Sequence, residues 1–215
     1  MNLKVNEIFH SIQGESTFAG LPCVFVRLTG CNLRCSWCDT RYAYEDGQVL
    51  SVDNIISKIQ EYPCSMVEVT GGEPLLQENT PLLVDKLLSL GYRVLLETNG
   101  SMNIEVINNR CHRIVDFKCP GSEMNQHNDL ENIERLSTRD QVKFVIADLN
   151  DYKFAADLAK LIKKRMGPDF PVLFSPVTPG LKPAHLAQWI LDDSLEVRLQ
   201  LQLHKIIWGP EAKGV

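Results

Sequence analysis

Seven short runs of β-branched and apolar residues punctuate this chain, at Val24–Leu28, Met66–Thr70, Arg93–Thr98, Arg113–Phe117, Gln141–Ala147, Val172–Phe174 and Val197–Leu203. Stretches with helical spacing lie between them. Ser51 can cap a helix over about Val52–Tyr62 with Ile55, Ile56 and Ile59 as its apolar stripe. Thr80-Pro81 opens another, with Leu83, Leu87 and Leu90 on one face and Gly91 at its end. Phe154, Leu158, Leu161 and Ile162 mark a third, closed by Gly167-Pro168, and Pro183–Leu191 a fourth. Shorter helical turns are expected at Asn103–Asn109 and Leu130–Leu136. Alternating β and α with apolar strands predicts a parallel sheet covered by helices and joined by right-handed crossovers. The units are too few for an eight-fold barrel. The expected architecture is therefore α/β, an open partial (β/α) barrel with about six parallel strands, forming one domain over residues 1–215.

Length and composition narrow the classes. A chain of 215 residues builds one substantial core. Its 44% hydrophobic and 23% charged content is that of an ordinary globular protein. There is no apolar run of about 18 residues to span a membrane. The N-terminal MNLKVNEIFH lacks the basic-then-apolar pattern of a signal peptide, and seven cysteines without one point to the reducing cytoplasm. A net charge of −5 with no lysine/arginine block gives no nucleic-acid footprint.

The densest motif follows the first apolar run: Gly30-Cys31-Asn32-Leu33-Arg34-Cys35-Ser36-Trp37-Cys38-Asp39-Thr40, with cysteines at C-x3-C-x2-C spacing. Soft thiolates packed this closely suit an iron–sulfur cluster or zinc. A structural zinc site needs four protein ligands, and no later paired motif supplies the fourth. Three thiolates on a four-iron cube leave one iron open to a ligand. The alternative is a non-enzymatic zinc-binding interaction module. Cys23, Cys64, Cys111 and Cys119 read as small buried hydrophobes. A second, auxiliary cluster is the other reading, although only Cys111 and Cys119 are near each other in sequence.

In open α/β sheets the ligand sits at the carboxyl ends of the strands. The polar motifs obey that rule: Gly71-Gly72-Glu73-Pro74, Glu97-Thr98-Asn99-Gly100, Asp116-Phe117-Lys118, Ser175-Pro176 and Gln202-Leu203-His204-Lys205 each end or follow an apolar run. Ahead of them lies Ser11-Ile12-Gln13-Gly14-Glu15-Ser16. Gln13 donates and accepts and Glu15 accepts, which suits an aminopyrimidinone edge; an ordinary capping turn is the alternative. Because this segment precedes the core, it is expected to cover the barrel mouth. Arg27, inside an apolar strand, needs a carboxylate or equivalent partner.

The cysteine spacing, with Trp37 before the third cysteine and a Gly-Gly-Glu-Pro motif one α unit later, looks like the radical S-adenosylmethionine (SAM) superfamily. Within it, Phe9-His10-Ser11-Ile12-Gln13-Gly14-Glu15-Ser16, the stretch from Gly20 through Thr40, Val69-Thr70-Gly71-Gly72-Glu73-Pro74, Glu97-Thr98-Asn99-Gly100-Ser101 and the ending Gln202-Leu203-His204-Lys205-Ile206-Ile207-Trp208-Gly209-Pro210 resemble the 7-carboxy-7-deazaguanine synthase family over nearly the whole chain. The resemblance implies one [4Fe-4S] cluster on Cys31, Cys35 and Cys38, with SAM chelated to the open iron. It implies that a 5′-deoxyadenosyl radical takes hydrogen from C6 of 6-carboxy-5,6,7,8-tetrahydropterin. Ring contraction, return of the hydrogen to regenerate SAM, and loss of ammonia then give 7-carboxy-7-deazaguanine for queuosine and other 7-deazapurines.

The same resemblance distributes roles. Trp37, Cys38, Asp39, Gly72, Glu73, Asp116, Phe117, Lys118 and Ser175 go to SAM, as do Glu97 and Asn99 at the ribose; a polar strand end with a helix cap is the alternative for that pair. Ile12, Gln13, Gly14, Arg27, Thr70 and His204 go to the pterin, where Glu15 is a further candidate from its acceptor chemistry. Thr40 goes to Mg²⁺, a hard cation that keeps several waters. No catalytic residue is implied beyond the cluster-bound SAM. An external electron donor such as flavodoxin and a homodimer are implied as partners. The tail Glu211-Ala212-Lys213-Gly214-Val215 follows, and some members of the family bring the C-terminal carboxylate near the substrate. Within the superfamily the rival is an activating enzyme for a glycyl-radical enzyme, which needs an open mouth for a peptide loop.

Overall fold

The computed structural model describes residues 1–209 and 212–215. Pro210 and Glu211, within the C-terminal motif and tail quoted above, lie outside the described residues.

Seven parallel strands form the sheet: β2 (Pro22–Leu28), β4 (Met66–Gly71), β5 (Arg93–Thr98), β6 (His112–Asp116), β7 (Gln141–Ile146), β8 (Val172–Pro176) and the two-residue β9 (Arg198–Leu199). Two antiparallel strands extend it beyond β2: β1 (Asn2–Ile12) and β3 (Gln48–Ser51), in the order β3-β1-β2-β4-β5-β6-β7-β8-β9. The ends of this order do not pair, so the barrel is open as expected. Helices α1 (Val52–Gln60), α2 (Thr80–Ser89), α3 (Leu149–Met166) and α4 (Pro183–Asp192) fill four of the crossovers, 3-10 turns fill those on either side of β6, and a short α5 (Leu203–Ile207) follows β9. Among the described residues, no helix is long and apolar enough to cross a membrane.

Strand alternation sorts the side chains. Val24, Val26, Val67, Val69, Val94, Leu96, Val115, Val142 and Phe144 join the core shared with the helices. Their neighbours point into the barrel. Cys23, Phe25, Met66, Leu95 and Ile114 make a small apolar layer near the starts of the strands. One step further along, Arg27, Thr70, Glu97, Asp116 and Lys143 make a polar one.

Helix beginnings behave as their residues dictate. The Ser51 hydroxyl accepts from the Asn54 N–H at 3.1 Å, and Pro81 stands in the first turn of α2. Four expectations are corrected. Leu161 and Leu90 are exposed, and α3 buries Tyr152, Ala155, Ala156 and Ala159 beside the expected Ile162. Alanines let α3 lie close to the sheet, so its apolar stripe is rotated from the bulky residues; Phe154 and Leu158 pack at its border. The expected strand Val197–Leu203 shrinks to two residues, and His204 stands on α5. The turns at Asn103–Asn109 and Leu130–Leu136 are 3-10 turns at Ile104–Val106 and Leu130–Ile133.

The fourth correction concerns the N-terminal segment, which does not cover the mouth. β1 runs antiparallel to β2 with Ile12 beside Pro22, so it ends where the parallel strands begin. Loop 13–21 then crosses beneath the barrel. The Thr17 N–H donates to Gln141 Oε1 (2.8 Å), the Ser16 N–H to Gln200 Oε1 (2.8 Å), and the Phe18 ring packs edge-on against His112. This loop is a floor, at the end opposite the cysteines. Its polar backbone dictates the place: its N–H groups find side-chain acceptors there.

Candidate active site

One cavity of about 290 Å³ runs from the cysteine loop down to the floor. At its upper end the cysteine loop leaves β2 beside the end of β4, with Leu28 and Gly71 in register. The Gly72 N–H donates to the Leu28 carbonyl and the Glu73 N–H to the Gly30 carbonyl (2.7 Å). A methyl group on Gly72 would collide with the Gly30 carbonyl and come within 2.7 Å of Cys31 Cβ. Only glycine lets the two loops meet this closely.

Cys31, Cys35 and Cys38 all line the cavity as free thiols. No group of three or more histidine, cysteine or acidic side chains among the described residues converges on a single metal ion. A four-iron cube binds each thiolate through a different iron, so a spread of three soft donors around one cavity fits it. Burial pushes the Cys31 and Cys35 thiols up, which leaves their ionisation to the metal they would hold. Two buried polar atoms nearby, Asp116 Oδ1 and Ser175 Oγ, have no partner among the described residues. Cys23, Cys111 and Cys119 are buried in apolar clusters and Cys64 packs at their edge, as small hydrophobes do.

Of the residues expected at the cofactor, Trp37, Asp39, Thr40, Gly72, Glu97, Asn99, Asp116 and Lys118 line the cavity. Glu73, Phe117 and Ser175 do not. Glu73 is fully buried: Oε1 accepts from the Leu75 N–H and the Thr98 hydroxyl, and Oε2 from the Asn99 N–H. Its carboxylate braces the loop after β4 against the end of β5. Phe117 stacks on Phe144 in the core. The Asn99 amide reaches Asn32 Oδ1 at 3.1 Å and the Cys31 sulfur at 3.8 Å. Lys118 Nζ donates to Asp116 Oδ2 at 2.7 Å. Burial lowers the Lys118 ammonium, but the Asp116 carboxylate more than offsets this and raises it. Thr40 Oγ1 donates to Asp39 Oδ1 at 3.0 Å. Burial alone would raise the Asp39 carboxyl, yet Lys205, 2.7 Å away, holds it at about 2.

Ile12, Gln13, Gly14, Glu15, Arg27, Thr70 and His204 also line the cavity. The partner that Arg27 requires belongs to the chain itself: Nε donates to Glu7 Oε1 at 2.7 Å, and the Tyr42 hydroxyl meets the same oxygen at 3.0 Å. Its two Nη groups have no protein partner among the described residues. The Gln13 amide is clamped between Glu68, to which it donates, and the Glu15 N–H, from which it accepts at 3.0 Å. Gly14 faces His204 closely: a Cβ there would stand 2.9 Å from the His204 nitrogen. Burial lowers the His204 imidazole, favouring its neutral form. On the open side of the barrel, the Leu203 N–H donates to the Gly14 carbonyl, and Ala212, Lys213, Gly214 and Val215 complete the wall.

Three side chains at the centre carry signals that motif reading passes over. Glu68 and Lys143 are single charges inside strands, and Glu7 lies in β1 with Lys4. Glu68 and Lys143 sit in otherwise apolar runs, the anomaly that drew attention to Arg27. Burial, then the Glu97 and Glu15 carboxylates, push the Glu68 carboxyl well above its ordinary value. Burial also raises Glu15, but Lys143 and Gln202 outweigh it and hold Glu15 at about 2.

Comparison with known proteins bears on the family and the fold. A model of the radical SAM superfamily matches residues 25–115. The 7-carboxy-7-deazaguanine synthase of Koribacter versatilis is 42% identical over 226 residues, spanning 99% of this chain and 100% of its own length. That of Chlorobaculum tepidum is 43% identical over 216 residues, spanning 99% and 97%. The crystal structure of QueE from Escherichia coli superposes with a TM-score of 0.75 over 94% of both chains at 23% identity, a likeness of fold.

Proposed function

This chain belongs to the 7-carboxy-7-deazaguanine synthase family of radical SAM enzymes, and from that premise we propose that it converts 6-carboxy-5,6,7,8-tetrahydropterin to 7-carboxy-7-deazaguanine with release of ammonia. The observation that carries the reading is a single cavity whose wall joins Cys31, Cys35 and Cys38 to Gln13, Gly14, Arg27, Thr70 and His204. Cys31, Cys35 and Cys38 would hold a [4Fe-4S] cluster, which together with SAM would supply one-electron chemistry.

The chain's own residues then bind and orient. Gly72 offers backbone to the SAM ammonium without an intervening side chain. Glu97 and Asn99 take the ribose hydroxyls, Trp37 and Asp39 flank the adenine, and Asp116 with Lys118 completes that side. Glu73 acts at one remove, by holding the loop after β4 in place. The unpaired Nη edge of Arg27 takes the acidic end of the pterin while Glu7 fixes its direction. Gln13 presents its clamped amide, and Glu68, whose carboxyl burial pushes well above its ordinary value, holds that amide in place. Neutral His204 and Thr70 take ring positions. Thr40 would hold a Mg²⁺ through its hydroxyl oxygen, and the cation would supply positive charge for the acidic substrate. The reductant is a small electron carrier such as flavodoxin, the protein a cytoplasmic homodimer.

The test is anaerobic incubation of reconstituted protein with SAM, dithionite, Mg²⁺ and the carboxypterin. The deazaguanine acid is expected by mass, with SAM recovered. SAM cleavage without pterin turnover would sink the substrate assignment and favour an activating enzyme. A colourless zinc protein would sink both. Omission of Mg²⁺ and Thr40→Ala are expected to lower turnover together.

A further inference from the structure

One buried cation has no part in the assignment above. Lys143 lies on β7 with its side chain turned into the barrel and only 6% exposed. Its Nζ donates to Glu15 Oε2 at 2.7 Å and to Glu97 Oε1 at 2.5 Å, and stands 3.8 Å from Asp116 Oδ2. These carboxylates come from three separate places: the floor loop, β5 and β6. β6 holds Asp116 directly beside Lys143 in the sheet register. Glu15 is fastened further by Gln202, whose Nε2 donates to Oε1 at 2.7 Å, and by Gln200 at 3.3 Å. Asp116 has a second cation in Lys118; Glu97 has no cation but Lys143 among the described residues.

The surrounding charges make the arrangement asymmetric. Glu68 faces both Glu15 and Glu97, and His204 faces Glu15 from α5. Without the Lys143 ammonium, Glu15 and Glu97 would be like charges in a largely desolvated space, a situation that forces a proton onto one of them or drives them apart. Glu15 directly follows Gln13 and Gly14, and its N–H also holds the Gln13 amide. Displacing Glu15 therefore moves the floor's substrate-facing atoms, and displacing Glu97 moves the other half of the cavity.

We propose that Lys143 is a positioning residue for the reaction, a single ammonium that ties the floor loop on the pterin side to Glu97 on the SAM side and so fixes the separation of the two bound molecules. The proposal rests on the substrate and cofactor assignment made above. Hydrogen transfer between two bound molecules needs near contact, so a small loss of registration costs rate even when both remain bound.

The experiment uses reconstituted holoenzyme carrying Lys143→Met, Lys143→Arg, Glu15→Gln, or Lys143→Met with Glu15→Gln. Three quantities are measured: SAM cleavage by dithionite without pterin, KM for the carboxypterin, and the ratio of deazaguanine acid to 5′-deoxyadenosine released. Lys143→Met is expected to keep SAM cleavage while the pterin KM rises about 10- to 100-fold, as for loss of a buried charge-assisted hydrogen-bond pair, and 5′-deoxyadenosine accumulates without product. Lys143→Arg restores much of the ratio. The double variant is no worse than Lys143→Met, because the two side chains act as one unit. Wild-type KM and ratio in Lys143→Met overturn the proposal, whatever its melting temperature. So does parallel loss of SAM cleavage that Lys143→Arg fails to restore. Should Lys143→Met not fold, Glu15→Gln decides alone, and wild-type values there overturn it. Absence of pterin turnover in the wild type defeats the substrate assignment instead.

Discussion

Asp140 has no exposed surface, and five donors lean on it, the Ser137 hydroxyl at 2.9 Å among them. Arg113 meets it through Nε (2.9 Å) and Nη2 (2.5 Å), its backbone N–H adds a third contact, and the Ser137 N–H donates at 2.7 Å. Arg113 is itself buried. Replacing Asp140 by alanine leaves that guanidinium unpaired, a loss of about 3–5 kcal/mol. A urea midpoint that barely moves in Asp140→Ala would contradict this picture. Glu68 behaves in the opposite sense. Its pKa is raised in the fold, so above the ordinary glutamate value the folded chain keeps a proton that the unfolded chain releases. That costs stability progressively as pH rises toward the folded pKa. Glu68→Gln removes the cost, because glutamine can still accept from Gln13. Its melting temperature relative to wild type is expected to gain between pH 5 and pH 8, and a flat difference across that range would show that Glu68 is ionised in the fold.

At the scale of elements, α3 shows where sequence periodicity misleads. Phe154, Leu158, Leu161 and Ile162 have helical spacing, yet the helix turns its alanines to the sheet and leaves Leu161 about half exposed. Ala159→Leu forces a bulky group into a closed contact and is expected to cost about 1–3 kcal/mol, whereas Leu161→Ser costs little. Equal shifts in thermal unfolding for the two would refute the assigned face. Helix α1 was legible because Ser51 and three isoleucines gave the same answer, and the parallel strands because they are apolar on both faces. β1 was not legible as a strand. It lies toward the sheet edge with a half-buried pattern, and its polar residues satisfy local needs: Glu7 holds Arg27 and the Asn6 amide reaches the Asp46 carbonyl at 2.8 Å. The cysteine loop and the glycine motif could be read directly, since their chemistry is set by local spacing. Glu68 and Lys143 could not, because their partners come from strands distant in sequence.

For the molecule as a whole, the open side of the barrel matters most. Neither β1–β3 nor β9 closes it with hydrogen bonds between strands; α5 and residues 212–215 stand in the gap. None of them contributes to the buried core. Removing residues 203–215 is therefore expected to leave the far-ultraviolet circular dichroism and most of the thermal stability intact while abolishing pterin turnover. Cooperative unfolding lost on that truncation would mean that the C-terminal segment holds the sheet together.

The floor has a bearing on how the molecule comes into being. Residues 15–17 are pinned by side chains at positions 141, 143, 200 and 202, more than a hundred residues downstream. Contacts of such span are the slowest to form. During synthesis the sheet can assemble strand by strand as each crossover emerges, but the early loop is not fully gripped until positions 141, 143, 200 and 202 have all left the ribosome. A half-made chain thus owns its cysteines and no closed chamber, which is complete only once residues 15–17 have met positions 200 and 202.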